Sequence, residues 1–422
     1  MAGDKENKKY GTISIRYPTQ ICGIRTRKFL IVTTVLVSLL TIGYYTIKSS
    51  GLVIPSLRTS FIGGPIPDYL AIIPPYSKKD SGKTIFVNIA SFRDNSCMNT
   101  LQSIYRAAMF PQNVYVGILQ QNSDRDSDCL TINNLDDAAS IEGLNNLIRY
   151  KDNIRIHRIN YQDALGPVYA RWTVMDKLYR NEDFILQVDS HTRFRQDWDA
   201  RLLRDMSLLP KKAALSHYPL EYDVTNNTLP SNYLIHMPIM CNGFYNSDDI
   251  LQPGGAIFHV KDLKSKPAEG AFLAAGFSFY SREANEQVPL DPNLPHLFHG
   301  EELLFSVRMA AHGYRFYSPS ENVCFHFYTR KGFPKFWENP PASYANNLKQ
   351  SLQRVKYILN MLPLSSVDNQ THATLDLDKY GLDRNDPKIV ENLKVYTDKF
   401  GINFEKKLVS NLCNEKDLML GY

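Results

Sequence analysis

The stretch DFILQVDSHTRF, residues 183–194, decides the fold. Its first half, Asp183 to Val188, is a short apolar run of the kind that fills a strand buried on both faces, and it ends in Asp189. Toward the N-terminus, Thr84 to Ala90, Val114 to Leu119 and Ile154 to Ile159 repeat that character. Between them, Cys97 to Met109 has helical apolar spacing, and Gly166-Pro167 opens a helix running to about Tyr179. Strands alternating with helices over about 110 residues imply βαβ units, hence an α/β fold with a mainly parallel sheet. Ligands of such sheets bind beyond the carboxyl ends of the strands, and Asp189 stands at one of them.

From Ala213 to Tyr328 the pattern is less regular, with loops near Asn242-Gly243 and Pro253-Gly254-Gly255 and helical spacing from Glu301 to Ala311. Two further helices are expected, over Tyr344 to Leu362 and near Pro387 to Phe400. The resulting division is a tail over 1–28, an apolar span over 29–47, a stem over 48–83, one α/β domain over 84–340 and a helical C-terminal appendage over 341–422.

Phe29 to Ile47 carries no charge and approaches the roughly 20 residues a membrane-spanning helix needs. Lys5, Lys8, Lys9, Arg16, Arg25, Arg27 and Lys28 precede it, whereas only Lys48 and Arg58 follow closely, so the positive-inside rule leaves the N-terminus cytosolic and the body luminal. A single-pass type II anchor in a Golgi or endoplasmic-reticulum membrane is the expectation; the long basic leader and the absence of a small-residue cleavage site argue against a signal peptide. Two glycosylation tripeptides, Asn226-Asn227-Thr228 and Asn369-Gln370-Thr371, agree with this and add little. Of six cysteines, Cys97, Cys129, Cys241, Cys324 and Cys413 follow the span, an odd number that leaves at least one unpaired within the chain. The chain, 43% hydrophobic and 22% charged, reads as globular, and a net charge of +5, much of it N-terminal, gives nucleic-acid binding little support.

Asp189 and His191, two residues apart just past a strand, can face one ion together. Such an ion would neutralise a diphosphate; oxygen ligands suit Mn²⁺ or Mg²⁺, and an imidazole favours Mn²⁺. Ordinary loop polarity is the competing reading. Glu301 and Glu302 begin a helix, where carboxylates either bind hydroxyls or simply complement the helix dipole. His326, in the aromatic strand Phe325-His-Phe-Tyr-Thr-Arg330, could complete a metal shell or pack in the core. Ser91, Phe92, Arg93 and Asp94 end the first strand, where nucleotide-binding sheets hold base and ribose, and Arg171 could reach a diphosphate or lie on a solvated helix face.

Five segments in order resemble one family. They are IFVNIASFRD at 85–94, GPVYARW at 166–172, LQVDSHTRF at 186–194, VPLDPNLPHLFHGEELLFSVRMAAHGYRFYSP at 288–319 and HFYTR at 326–330. The chain is similar over 84–330 to the polypeptide N-acetylglucosaminyltransferases that modify hydroxyproline or threonine, the Skp1 and trypanosome mucin enzymes. The resemblance implies a GT-A fold, a UDP-N-acetylglucosamine donor and retention of configuration. It also implies a metal held by Asp189, His191 and His326, a donor site of Ser91, Phe92, Arg93, Asp94, Arg171, Asp189 and Ser190, and Glu301 and Glu302 as catalytic carboxylates. Met309-Ala-Ala-His312 and Thr192 depart from the family pattern, which touches acceptor or sugar preference more than catalysis. A transferase using another UDP-sugar or a glycan acceptor, and a catalytically silent binding protein of the same fold, are the rival readings.

Overall fold

The computed structural model describes residues 82–130, 147–223, 229–263, 266–338, 340–369, 371, 377–410 and 412–413. The expected tail, the span over 29–47 and nearly all of the stem lie outside them, as does the Asn226 tripeptide; no described helix is long and apolar enough to cross a membrane.

The strands expected from the apolar runs form, each extended a residue or more at its carboxyl end: β1 (Ile85–Phe92), β2 (Val114–Asn122), β3 (Ile154–Asn160) and β4 (Phe184–Asp189). They pair in parallel in the order β3-β2-β1-β4. The chain leaves β1 in one direction to reach β2 and β3 and returns on the other side as β4, so a switch point lies between β1 and β4. The near-continuous burial of β1 follows from helices on both faces. On one side, α1 (Cys97–Ala107) and α3 (Trp198–Ser207) bury Leu101, Ile104, Trp198 and Leu202 against Ile85, Val87 and Ile89. On the other, α2 (Pro167–Leu178) packs Ala170 and Val174 on Phe86 and Leu119.

The second half of the sheet was not legible as strands. Beyond β4 come β11 (Phe277–Ser281), antiparallel to it, then β6 (Ala213–Ser216), β12 (Arg315–Ser318) and β10 (Ala268–Gly270). These strands are short and scattered in sequence, with β6 and β12 parallel, and only pairing to a preformed edge makes them strands. A separate small sheet joins β5 (Thr192–Phe194), β13 (Cys324–His326) and β7 (Leu220–Glu221). The hairpin of β8 (His236–Tyr245) and β9 (Leu251–His259) packs beside α5 (Glu301–Ala311), and α4 (Arg282–Gln287) follows β11.

The C-terminal helices α6 (Tyr344–Ile358) and α8 (Pro387–Phe400), with the short α7 (Leu377–Tyr380) between, share the core of the domain: Val355, Ile358, Ile389, Tyr396 and Phe400 join Leu303, Val307 and Phe316. Helix α6 stops at Ile358, short of the expected Leu362, because Asn360 turns into the left-handed region (φ 62°) ahead of Pro363. Helix α8 is bounded as its sequence dictates, by Asp386 capping Lys388 N–H at 2.8 Å, Pro387 in the first turn and Gly401 at φ 60°. The small strands β14 (Ile402–Asn403) and β15 (Leu408–Val409) close the described chain.

Candidate active site

A cleft of about 390 Å³ opens over the carboxyl ends of β1, β2 and β4, at the switch point. Strand β4 delivers Asp189 to its floor, and the tight turn into β5 brings His191 alongside. His326, 135 residues beyond His191 in number, arrives because β13 pairs antiparallel with β5, setting His326 opposite Thr192. Glu321 anchors the approach to β13 from below, held by Arg195, Arg201 and Arg204.

One ligand atom from each of Asp189, His191 and His326 falls within 4.8 Å of the others. The His326 Nε2 lies 3.0 Å from Asp189 Oδ2, and the two imidazoles meet edge to face at 4.6 Å. Nδ1 of His191 is engaged by Asp94 Oδ2 at 2.7 Å, which leaves Nε2 as the nitrogen available to a metal. Burial lowers the His191 pKa against the pull of Asp94, so the ring is held neutral, as a metal ligand must be. Burial alone would raise Asp189, but hydrogen bonding from His326 and the Arg171 and His326 charges hold its carboxyl well below the usual range. A Cβ on Gly276 would stand 3.1 Å from Asp189 Oδ2, so only a glycine leaves that oxygen unobstructed. A carboxylate and two imidazoles within reach of one point fit a divalent first-row ion such as Mn²⁺.

Around this centre the remaining residues sort themselves. Arg171, buried on α2, donates to Asp189 Oδ1 at 2.7 Å and to Glu301 Oε2, joining the two carboxylates. Glu301 is 7% exposed and its Oε1 has no partner among the described residues; burial raises its pKa against the opposing charge of Arg171. Glu302 has both oxygens engaged, by Ala275 N–H at 2.7 Å and by the Tyr218 hydroxyl, and burial pushes it up to about 7 despite these bonds.

The first-strand loop divides among different tasks. Phe92 lines the cleft and a neighbouring cavity of about 270 Å³. Arg93 turns left-handed (φ 47°), pairs with Asp126 at 2.8 Å, lies over Tyr161 and borders only the second cavity. Ser91 is buried, its Oγ 3.6 Å from Cys129 Sγ. Asp94 is buried behind the centre, where it receives Ser190 Oγ at 2.6 Å, His191 and Arg330; burial raises its pKa, but these partners more than offset that and hold it well below the usual carboxylate range. Sequence reasoning did not single out Gln121, Tyr218 or Gly276, nor the rim aromatics Phe298, Phe336 and Trp337, whose rings stand 4.9 to 6.5 Å apart. Gln121 alone had a signal, its place at the end of a parallel strand.

Fold and site together define a mixed α/β protein with a candidate metal centre at the carboxyl edge of its sheet. A family model described as Glycosyltransferase (GlcNAc) matches residues 84–146 and 137–406, so the chain belongs to that glycosyltransferase family. No curated protein sequence matches the chain significantly. Among solved structures, a crystal structure of GalNAc-T7 with UDP, GalNAc and Mn²⁺ is similar at 17% identity and a TM-score of 0.47 over 65% of this chain. The chain spans 48% of the length of that structure. The mannosyltransferase PcManGT from Pyrobaculum calidifontis, in complex with GDP-Man and Mn²⁺, is similar at 11% identity and a TM-score of 0.37, over 78% of this chain and 79% of that one.

Proposed function

We propose that the chain is a metal-dependent, retaining glycosyltransferase that moves N-acetylglucosamine from UDP-N-acetylglucosamine to a serine, threonine or hydroxyproline hydroxyl of a secretory-pathway protein. The observation that carries this reading is the convergence of Asp189, His191 and His326 at a strand-end cleft in a chain of the GlcNAc glycosyltransferase family. Mn²⁺ or Mg²⁺ held by these three would offset the negative charge that develops on the departing diphosphate. In the reaction the bond from the anomeric carbon to the phosphate oxygen breaks, UDP takes the electron pair, and the acceptor oxygen bonds to the same face, its proton passing to the released phosphate.

This chain's own groups supply position. The Oε1 of Glu301, buried and without a partner among the described residues, would be satisfied by a sugar or acceptor hydroxyl in the cleft, and Arg171 keeps that carboxylate aimed by holding its other oxygen. Tyr218 and Ala275 fix Glu302 beside it. The aromatic rim of Phe298 and Trp337, 49% and 41% exposed, offers flat apolar faces for the acceptor. Two disulfides, Cys97–Cys129 and Cys241–Cys413, with Cys324 free, support an oxidising compartment and so a luminal domain on a type II anchor in the Golgi or endoplasmic reticulum.

The test is His191→Ala assayed with Mn²⁺ and a panel of UDP-sugars by mass spectrometry. The variant is expected to lose UDP-N-acetylglucosamine turnover by about 100-fold or more, consistent with losing a metal ligand. Unchanged turnover would refute the metal assignment, and turnover of another UDP-sugar in preference would refute the donor.

A further inference from the structure

The cleft has two chemically different ends. Toward α5 it presents Arg171, Glu301 and Glu302, charged groups suited to sugar hydroxyls and phosphate. Toward the carboxyl ends of β1 and β2 it presents Ala90, Phe92 and Gln121, an apolar wall, a flat ring and one amide. A nucleobase is a flat apolar surface with a few polar edge atoms, so the second end matches it and the first does not.

Gln121 is 3% exposed and paired in register with Phe92. Its Nε2 donates to the Ser91 carbonyl at 3.3 Å, while its Oε1 has no partner among the described residues. The Ser91 carbonyl can only accept, so the amide is fixed with its amino group toward β1, and its oxygen remains the free pole. Gln120, on the opposite face of the strand, differs: its Nε2 donates to Asp128 Oδ2 at 2.9 Å and its Oε1 accepts Cys129 N–H at 2.7 Å. Two adjacent glutamines thus use their amides differently, one wholly within the fold and one, on a residue that lines the cleft, with a buried acceptor left over. A buried acceptor without a donor is unfavourable, and a ligand N–H would satisfy it.

We propose that Gln121 is the specificity residue for the base of the donor nucleotide, with Oε1 accepting the imino N3–H of uracil while the ring lies against Phe92. The assignment rests on the nucleotide-sugar reading above. Uracil carries a hydrogen at N3; cytosine carries a lone pair there, which would face the Gln121 oxygen.

The experiment titrates the full chain with Mn²⁺ and UDP, 3-methyl-UDP or CDP by calorimetry. Wild type is expected to bind UDP roughly tenfold tighter than either analogue, the loss typical of one hydrogen bond with an acceptor left unpaired. In Gln121→Ala, which removes the acceptor and makes room for the methyl group, the ratio of UDP to 3-methyl-UDP affinity should fall to about one. A tenfold preference that persists in Gln121→Ala overturns the proposal. So does a wild type that binds UDP and 3-methyl-UDP alike, a measurement that stands even where the variant fails to fold. Sugar transfer by a wild type with no such preference would refute Gln121's role and leave the reaction; the preference without any transfer would do the reverse.

Discussion

Asp94 carries no ligand atom to the centre, yet the arrangement there depends on it. It stands behind His191, fixes which imidazole nitrogen is free, and receives Ser190 and Arg330 at the same time. Asp94→Asn retains the shape but removes the charge and leaves one acceptor oxygen where Oδ1 serves Ser96 N–H and Oδ2 serves His191 Nδ1–H, so Mn²⁺ affinity is expected to fall about 10- to 100-fold, read by electron paramagnetic resonance of the free ion. An unaltered affinity would make Asp94 only a packing residue. Glu302 answers to pH instead. Its folded pKa of about 7 lies above the ordinary 4.5, so the folded state binds this proton more tightly than the unfolded one. Its contribution to stability is complete below pH 4.5 and is lost as pH rises through about 7. Glu302→Gln should flatten the dependence of Tm on pH across that window, a difference of up to about 3 kcal/mol. The paired glutamates at 301–302 were visible in the sequence, but their division, one oxygen free and one carboxylate wholly engaged, was not, because Tyr218, Ala275 and Arg171 come from three distant segments.

Among the elements, the turn into α2 is the tightest constraint near the cleft. Gly166 has φ 89°, and a Cβ there would lie 2.9 Å from the Cα of His296, backbone that cannot step aside. Gly166→Ala combines a left-handed penalty with that clash and should cost about 2 kcal/mol or more, measured as a fall in Tm of several degrees. Gly332, at φ 84° with nothing within 4 Å of a Cβ, is the control: alanine there should cost only about 1 kcal/mol. The Gly166-Pro167 pair announced a helix start by composition alone, and the helix begins at Pro167. The aromatic run around His326 reads as a strand and β13 forms there, but nothing announced β5 or β7, segments of two or three residues, or the pairing of β13 with β5 that carries His326 to Asp189. Strands that short have no period to read.

For the whole molecule, the two disulfides tie the edges of the domain to its core. Cys97–Cys129 closes 32 residues between the start of α1 and the loop whose Asp126 and Asp128 hold Arg93 and Arg158. Replacing both cysteines by serine should destabilise the domain by about 3 to 4 kcal/mol, seen as a lower Tm that a reductant no longer lowers through this bond. Cys241–Cys413 links β8 to the C-terminal segment, where α8 already packs Tyr396 and Phe400 into the common core. The amino-acid sequence by itself determined the parallel half of the sheet, the helices between its strands, and the acid and imidazole at 189 and 191, because apolar period, caps and strand ends are local properties. Only the tertiary structure decided that Asp94 serves His191, that Gln121 keeps an oxygen without a partner among the described residues, that His326 comes within ligand distance of the pair and that helices α6 and α8 pack into the main core, because each of these depends on which distant backbone lies alongside, and no local pattern carries that information.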